Sequence, residues 1–162
     1  MIKLYITPAE GIYDRLDEIL LSVLGYKPEI KRTAAGKPFI EGNPLFFSIT
    51  HSGKRGAIVI SDKPAGVDLE LFKNNPHEII KNSFAEKEQY EITCESDFLK
   101  HWTVREAFVK MHGKTLAETL KSMEYIGGKL YFCGKLQDIE IFTHVLDYGV
   151  ITVCAEKRGE KK

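Results

Sequence analysis

The sequence predicts an α+β chain with antiparallel strands. Three observations lead there. Short alternating or apolar runs recur with turn residues between them. Two stretches carry helical spacing long enough to stand as helices. A strand and a helix followed by several strands occur twice over, a coarse echo that fits a pseudo-duplicated unit. The 162 residues, 43% of them hydrophobic, suit a single domain over 1–162. Its halves would be 1–72 and 73–156, with a charged, frayed tail at 157–162.

Residues 2–7 alternate and read as a strand. Ile12, Leu16, Ile19, Leu20, Val23 and Leu24 follow helical spacing, so 11–25 is an amphipathic helix ending near Gly25. Pro28, Pro38 and Pro44 make 26–44 a loop with short extended pieces. Strands follow at 45–51, 56–61 and 66–71, with turns at 52–54 and 62–64. Short helical segments are expected at 77–83 and 86–92, and a longer helix at 97–111. Beyond Gly113 come a short helix near 116–120 and strands at 123–126, 129–133, 138–145 and 150–155.

Composition excludes several classes of function. Twenty-three basic and 23 acidic residues cancel, which argues against a broad nucleic-acid surface. Cys94, Cys133 and Cys154 form no zinc pattern and read as small buried thiols of a reducing compartment. The N-terminal apolar stretch is too short for a signal peptide, and no run reaches the ~20 apolar residues of a membrane span. A cytoplasmic location is expected. GxGxxG, GxxxxGK[ST] and GxSxG are all absent.

Asp68 and Glu70 are two apart on a strand and share one face. Two neighbouring carboxylates repel unless a cation lies between them, and hard oxygen ligands suit Mg²⁺. An exposed polar strand face is the plainer alternative. On a helical wheel Phe98, Leu99, Trp102 and Val109 form an apolar stripe with Glu106 inside it and Lys110 one turn on. A carboxylate on a packing face needs a metal or a buried cation. His51 closes a strand before a Ser-Gly turn, placed to meet a phosphate oxygen or simply to be satisfied by the turn. Lys37 is fixed between Gly36 and Pro38. His77, His101, His112 and His144 receive no role.

In order, the chain carries GKP at 36–38, FSITHSG at 47–53, GVDLE at 66–70, FAEKE at 84–88 and WTVREAFVK at 102–110. This set resembles the larger, surfactin-type (Sfp-type) class of 4′-phosphopantetheinyl transferases. The likeness covers about residues 26–114. It implies two similar α+β halves with coenzyme A between them, the N-terminal half shortened. Asp68, Glu70 and Glu106 would hold Mg²⁺, with Mn²⁺ able to substitute. Lys37 and Pro38 would line the adenosine end. Thr50, at the family's usual Ser position, and His51 would contact the phosphates. Glu106 would be the general base and Lys110 the cation at the transferring phosphate. The partner would be an apo acyl or peptidyl carrier protein, met by apolar residues after Leu71 and around Phe84, and the enzyme a monomer. Arg105 stands where the family has Lys. Arg15, Lys31 and Arg32 are candidates for the 3′-phosphate. A non-catalytic relative that binds coenzyme A or a carrier, or an unrelated Mg²⁺-dependent phosphotransferase, stays open on the residues alone.

Overall fold

The fold is described from a computed structural model over residues 1–73 and 83–157, without the side chain of Glu118. Alternation in β1 (Ile2–Pro8) gives way to helical spacing in α1 (Ile12–Leu24). Gly25, at φ 78°, ends that helix in the left-handed conformation glycine tolerates. The proline-bearing stretch forms a small hairpin, β2 (Ile30–Arg32) with β3 (Pro38–Ile40). Then come β4 (Phe46–Ser52), β5 (Arg55–Ser61) and β6 (Ala65–Leu71). The short α2 (Glu86–Gln89) precedes the long α3 (Glu95–His112). After α4 (Leu116–Thr119) and a 3₁₀ turn, the chain makes β7 (Met123–Ile126), β8 (Lys129–Phe132), β9 (Lys135–Leu136), β10 (Ile139–Leu146) and β11 (Gly149–Glu156).

Two three-stranded antiparallel sheets carry the architecture, in the orders β1-β5-β4 and β10-β11-β6. A third, β7-β8-β9, is a satellite. The two main sheets pack face to face. Ala57 and Val59 of β5 meet Val67 and Leu69 of β6 and Ile151, Val153 and Ala155 of β11. On the outer side of the first sheet, Ile12, Leu16, Ile19 and Leu20 of α1 cover Phe47, Ile58 and Ile60. On the outer side of the second, α3 packs on β11, β7 and β8 through Val104, Phe108 and Met111. The layer order is helix, sheet, sheet, helix, which is the mixed α+β class that the strand pattern predicts.

At one edge of the sandwich β4 runs beside β6 without a backbone ladder. Ser48, Thr50 and Ser52 alternate onto the same face of β4 and bridge the gap. Ser48 Oγ accepts Val67 N–H at 3.2 Å and Ser52 Oγ accepts Leu71 N–H at 3.3 Å. Thr50 Oγ1 donates to Asp68 Oδ1 at 3.0 Å.

The structure departs from the sequence expectations in four places. The helix expected over 86–92 stops at Gln89, since the bonds that follow, Glu91 N–H to Glu88 O and Ile92 N–H to Gln89 O, are turn bonds. Helix α3 starts two residues early at Glu95, where Asp97 reaches back to Thr93 N–H and Oγ1. It has no single apolar stripe. It is wrapped by neighbours on nearly every side, and Trp102, Glu106 and Lys110 are half-buried along its one open line. Cys154 is buried as expected, but Cys94 and Cys133 are exposed. The helix expected at 77–83, save Ser83, and the tail at 158–162 fall outside the described residues.

Helix α3 lies on β6 at Gly66. A Cβ there would stand 2.0 Å from the carbonyl oxygen of Ala107 and 2.5 Å from the amide nitrogen of Met111. Both are backbone atoms that no rotamer change can move. Gly66→Ala is expected to destabilise the fold by about 3 kcal/mol, read as a lower urea midpoint.

Candidate active site

The close approach of α3 to β6 determines which side chains meet. Gly66, Asp68 and Glu70 alternate onto the face of β6 that looks at the helix, and Glu106 and Lys110 look back. Asp68 is 3% exposed. Its Oδ1 accepts Lys110 Nζ at 2.6 Å and Thr50 Oγ1 at 3.0 Å. Lys110 Nζ also donates to Thr50 Oγ1 at 3.1 Å, closing a three-membered cluster across α3, β6 and β4. Asp68 Oδ2 is buried with no hydrogen-bond partner among the described residues. Glu70, nearer the rim, accepts Ser52 Oγ at 2.9 Å and has Lys73 Nζ at 3.6 Å.

The electrostatics follow from burial. Desolvation pushes the Asp68 carboxyl above its ordinary value; Lys110 and Thr50 oppose this and Glu70 adds to it. Glu106 is raised for the same first reason, and then by the charges of Asp68 and Glu70, against Lys110. The three carboxylates therefore feel one another, with the Lys110 ammonium on Asp68 and that of Lys73 at the rim beside Glu70.

Lys37 is half-buried at the far end of α3, where Nζ donates to Met111 O at 2.5 Å and burial lowers its pKa. Pro38 follows as the first residue of β3. Thr50 and His51 are neighbours on β4 and so face opposite ways. Thr50 joins the Asp68 cluster. His51 is exposed and lines a groove of about 520 Å³ with Glu10, Gly11, Tyr13 and Asp14 at the start of α1. The candidates for a 3′-phosphate are otherwise engaged: Arg15 with Glu18, Lys31 with Glu41, and Arg32 with Gly36 O. Phe84 is only 7% exposed and packs against Phe98, so its own ring is core, while residues 74–82 before it lie outside the described residues.

Sequence reasoning missed a second buried cluster beside the first. Glu88 and Arg105 are both fully buried and form an ion pair. Glu88 Oε1 also accepts Tyr125 N–H at 2.8 Å and contacts His101 Nδ1 at 3.3 Å, while Oε2 accepts Ala85 N–H at 3.0 Å. Arg105 donates to His101 O at 2.9 Å and Met123 O at 3.2 Å and lies over the Phe84 ring. Burial alone would raise the Glu88 carboxyl, but its donors, with His101 and Arg105 foremost, hold it below the usual range. The available signal was the acid three residues past Ala85, in capping-box position for α2.

Among the described residues, no three His, Cys, Asp or Glu side chains are already gathered around one point. The donor set nevertheless fits a divalent cation. It is all oxygen, it contains an orphaned buried carboxylate oxygen, and its members repel one another.

A family model described as the 4′-phosphopantetheinyl transferase superfamily matches residues 64–148, just over half of the chain. A 4′-phosphopantetheinyl transferase of Bacillus subtilis is 33% identical over 94 residues, covering 54% of this chain and 42% of that one. The 4′-phosphopantetheinyl transferase AcpT of Salmonella typhi is 34% identical over 106 residues, covering 59% and 55%. An L-aminoadipate-semialdehyde dehydrogenase-phosphopantetheinyl transferase of Xenopus laevis is 27% identical over 122 residues, covering 59% and 39%. The chain thus matches about half the length of these relatives, or less.

The two clusters should respond differently to substitution. Glu88→Ala strands a fully buried guanidinium and is expected to cost about 3–5 kcal/mol, measured by chemical denaturation. Glu106 behaves in the opposite sense. Its raised carboxyl holds a proton in the folded state after the unfolded chain has lost it. The stability it contributes is therefore lost as pH rises from the ordinary carboxylate range through the raised value. In metal-free protein, Glu106→Gln should raise the melting temperature, by a margin that grows between pH 5 and pH 7.5. A margin that does not change with pH would contradict this assignment.

Proposed function

Because the chain belongs to the 4′-phosphopantetheinyl transferase superfamily, we propose that it transfers 4′-phosphopantetheine from coenzyme A to a serine of an apo carrier protein. Adenosine 3′,5′-bisphosphate is the other product. The observation that carries this reading is the buried Asp68 with its unpartnered Oδ2, set among Glu70, Glu106 and Lys110.

Asp68, Glu70 and Glu106 would hold Mg²⁺ or Mn²⁺. When bound, the ion supplies charge neutralisation for the coenzyme's pyrophosphate. The remaining chemistry belongs to the chain. The carrier serine Oγ attacks the β-phosphorus as its proton passes to a Glu106 carboxylate oxygen. The bond from the β-phosphorus to the bridging oxygen breaks, and that oxygen departs on the α-phosphate. The Lys110 ammonium stabilises charge on the phosphate oxygens.

Lys37 and Pro38 bound the adenosine end. Thr50 and His51 contact the phosphates from the two faces of β4, a contact made by a ligand running past the strand's end. The protein acts as a cytoplasmic monomer, with neither nucleic acid nor membrane as partner. Zero net charge supports the former exclusion. Among the described residues no helix is long and apolar enough to cross a membrane.

The test is mass spectrometry of apo carriers from fatty-acid, polyketide and nonribosomal-peptide systems, incubated with coenzyme A and Mg²⁺. A gain of one phosphopantetheine is expected on at least one carrier. Asp68→Ala and Glu106→Ala should each lower the rate by about 100-fold or more with the circular dichroism spectrum unchanged. Coenzyme A binding with no mass gain on any carrier would favour a non-catalytic relative.

A further inference from the structure

Among the described residues, Lys110 is the one cation bonded to Asp68. Its own side chain is 31% exposed, whereas that of Asp68 is 4% exposed. A long flexible stem thus delivers an ammonium from the rim to a carboxylate that cannot reach solvent. Both groups on Asp68 Oδ1, Lys110 Nζ and Thr50 Oγ1, are donors. Oδ2 is buried and, among the described residues, unbonded. A carboxylate so placed keeps one oxygen without a hydrogen bond, and the charges of Glu106 and Glu70 act on the same group. Once a doubly charged ion sits there, the ammonium is repelled and no longer needed.

We infer that Lys110 is a stand-in cation: it neutralises Asp68 in the metal-free protein and leaves it when a divalent ion binds. The two compete for one buried carboxylate. The inference rests on the metal reading proposed above and adds to it an exchange. The released ammonium becomes available to a phosphate at the moment the ion arrives, so the site is not armed with its lysine until it is loaded.

The exchange is read without turnover. Mn²⁺ or Mg²⁺ alone is titrated into wild-type protein, Lys110→Met and Lys110→Arg at pH 8, followed by calorimetry and thermal unfolding. Removing the competitor should lower the metal dissociation constant of Lys110→Met by at least about fivefold and enlarge the rise in its melting temperature on metal addition. Lys110→Arg keeps a cation and should stay near wild type. Wild-type protein provides a readout that does not depend on the variant folding. Acylation of Lys110 by a lysine-directed reagent, followed by peptide mass spectrometry, should speed up several-fold when metal is added. Equal metal affinity in wild type and Lys110→Met, or an unchanged labelling rate in metal-bound wild type, overturns the exchange and leaves the metal site standing. Failure of either ion to bind any of the three proteins, with or without coenzyme A, overturns the metal site itself, and the exchange with it.

Discussion

A helix can lie on a strand this closely only where the strand lacks a side chain. Gly66 supplies that gap, and the backbone of α3 at Ala107 and Met111 fills it. The consequence is geometric. With the two backbones in contact, residues two and four positions along β6 meet residues on the same helical turns. Asp68 reaches Lys110 at 2.6 Å, and the charge on Glu106 is felt by its neighbours. A side chain at position 66 would push α3 outward. The ammonium could then no longer reach a carboxylate that is itself closed to water.

The same approach explains why two buried carboxylates that both pair with α3, Asp68 of β6 and Glu88 of α2, have opposite character. Glu88 is surrounded by donors: a guanidinium, an imidazole and two backbone N–H groups. Its charge is over-satisfied, and it ties α2, α3 and β7 into one unit. Asp68 has one ammonium and one hydroxyl on one oxygen and, among the described residues, nothing on the other. Each cluster leaves one buried atom without a hydrogen-bond partner among the described residues, Arg105 Nε in the first and Asp68 Oδ2 in the second. What sets Asp68 apart is charge: its bare atom is a carboxylate oxygen repelled by two further carboxylates, which is poorly explained by stability and is the signature expected of a site awaiting a ligand.

Much of the site was legible because its signals are local. Asp68 and Glu70 announce a shared face by their spacing of two, and Glu106 and Lys110 a shared side by their spacing of four. The strands and α1 were legible for the same reason, through alternation, helical spacing and the glycine that ends the helix. Illegible features depend on what comes from elsewhere. The wheel for α3 fails because β6, β11 and β7 wrap the helix, so hydrophobicity marks no single face. Arg105 read as an exchange of one cation for another, and only the fold shows it buried against Glu88, 17 residues earlier. The burial of the Phe84 ring was not legible either, because nothing in the sequence reveals that Phe98 and Arg105 cover it.

The seam between β4 and β6 is where these levels meet. Ordinary sheet pairing would saturate the backbone of both strands and leave side chains to the faces. Here Ser48, Thr50 and Ser52 take over part of that task and carry hydroxyls into the gap. Thr50 shows why this matters. Its Oγ1 touches both Asp68 and Lys110, so it holds the carboxylate and ammonium in register while belonging to neither of their elements. A backbone amide could donate in its place but could not also accept from the lysine. The hydroxyl does both, which lets Lys110 stay or leave without breaking the contact between the sheets. A seam stitched by side chains can therefore accommodate a change of cation that a continuous ladder would resist.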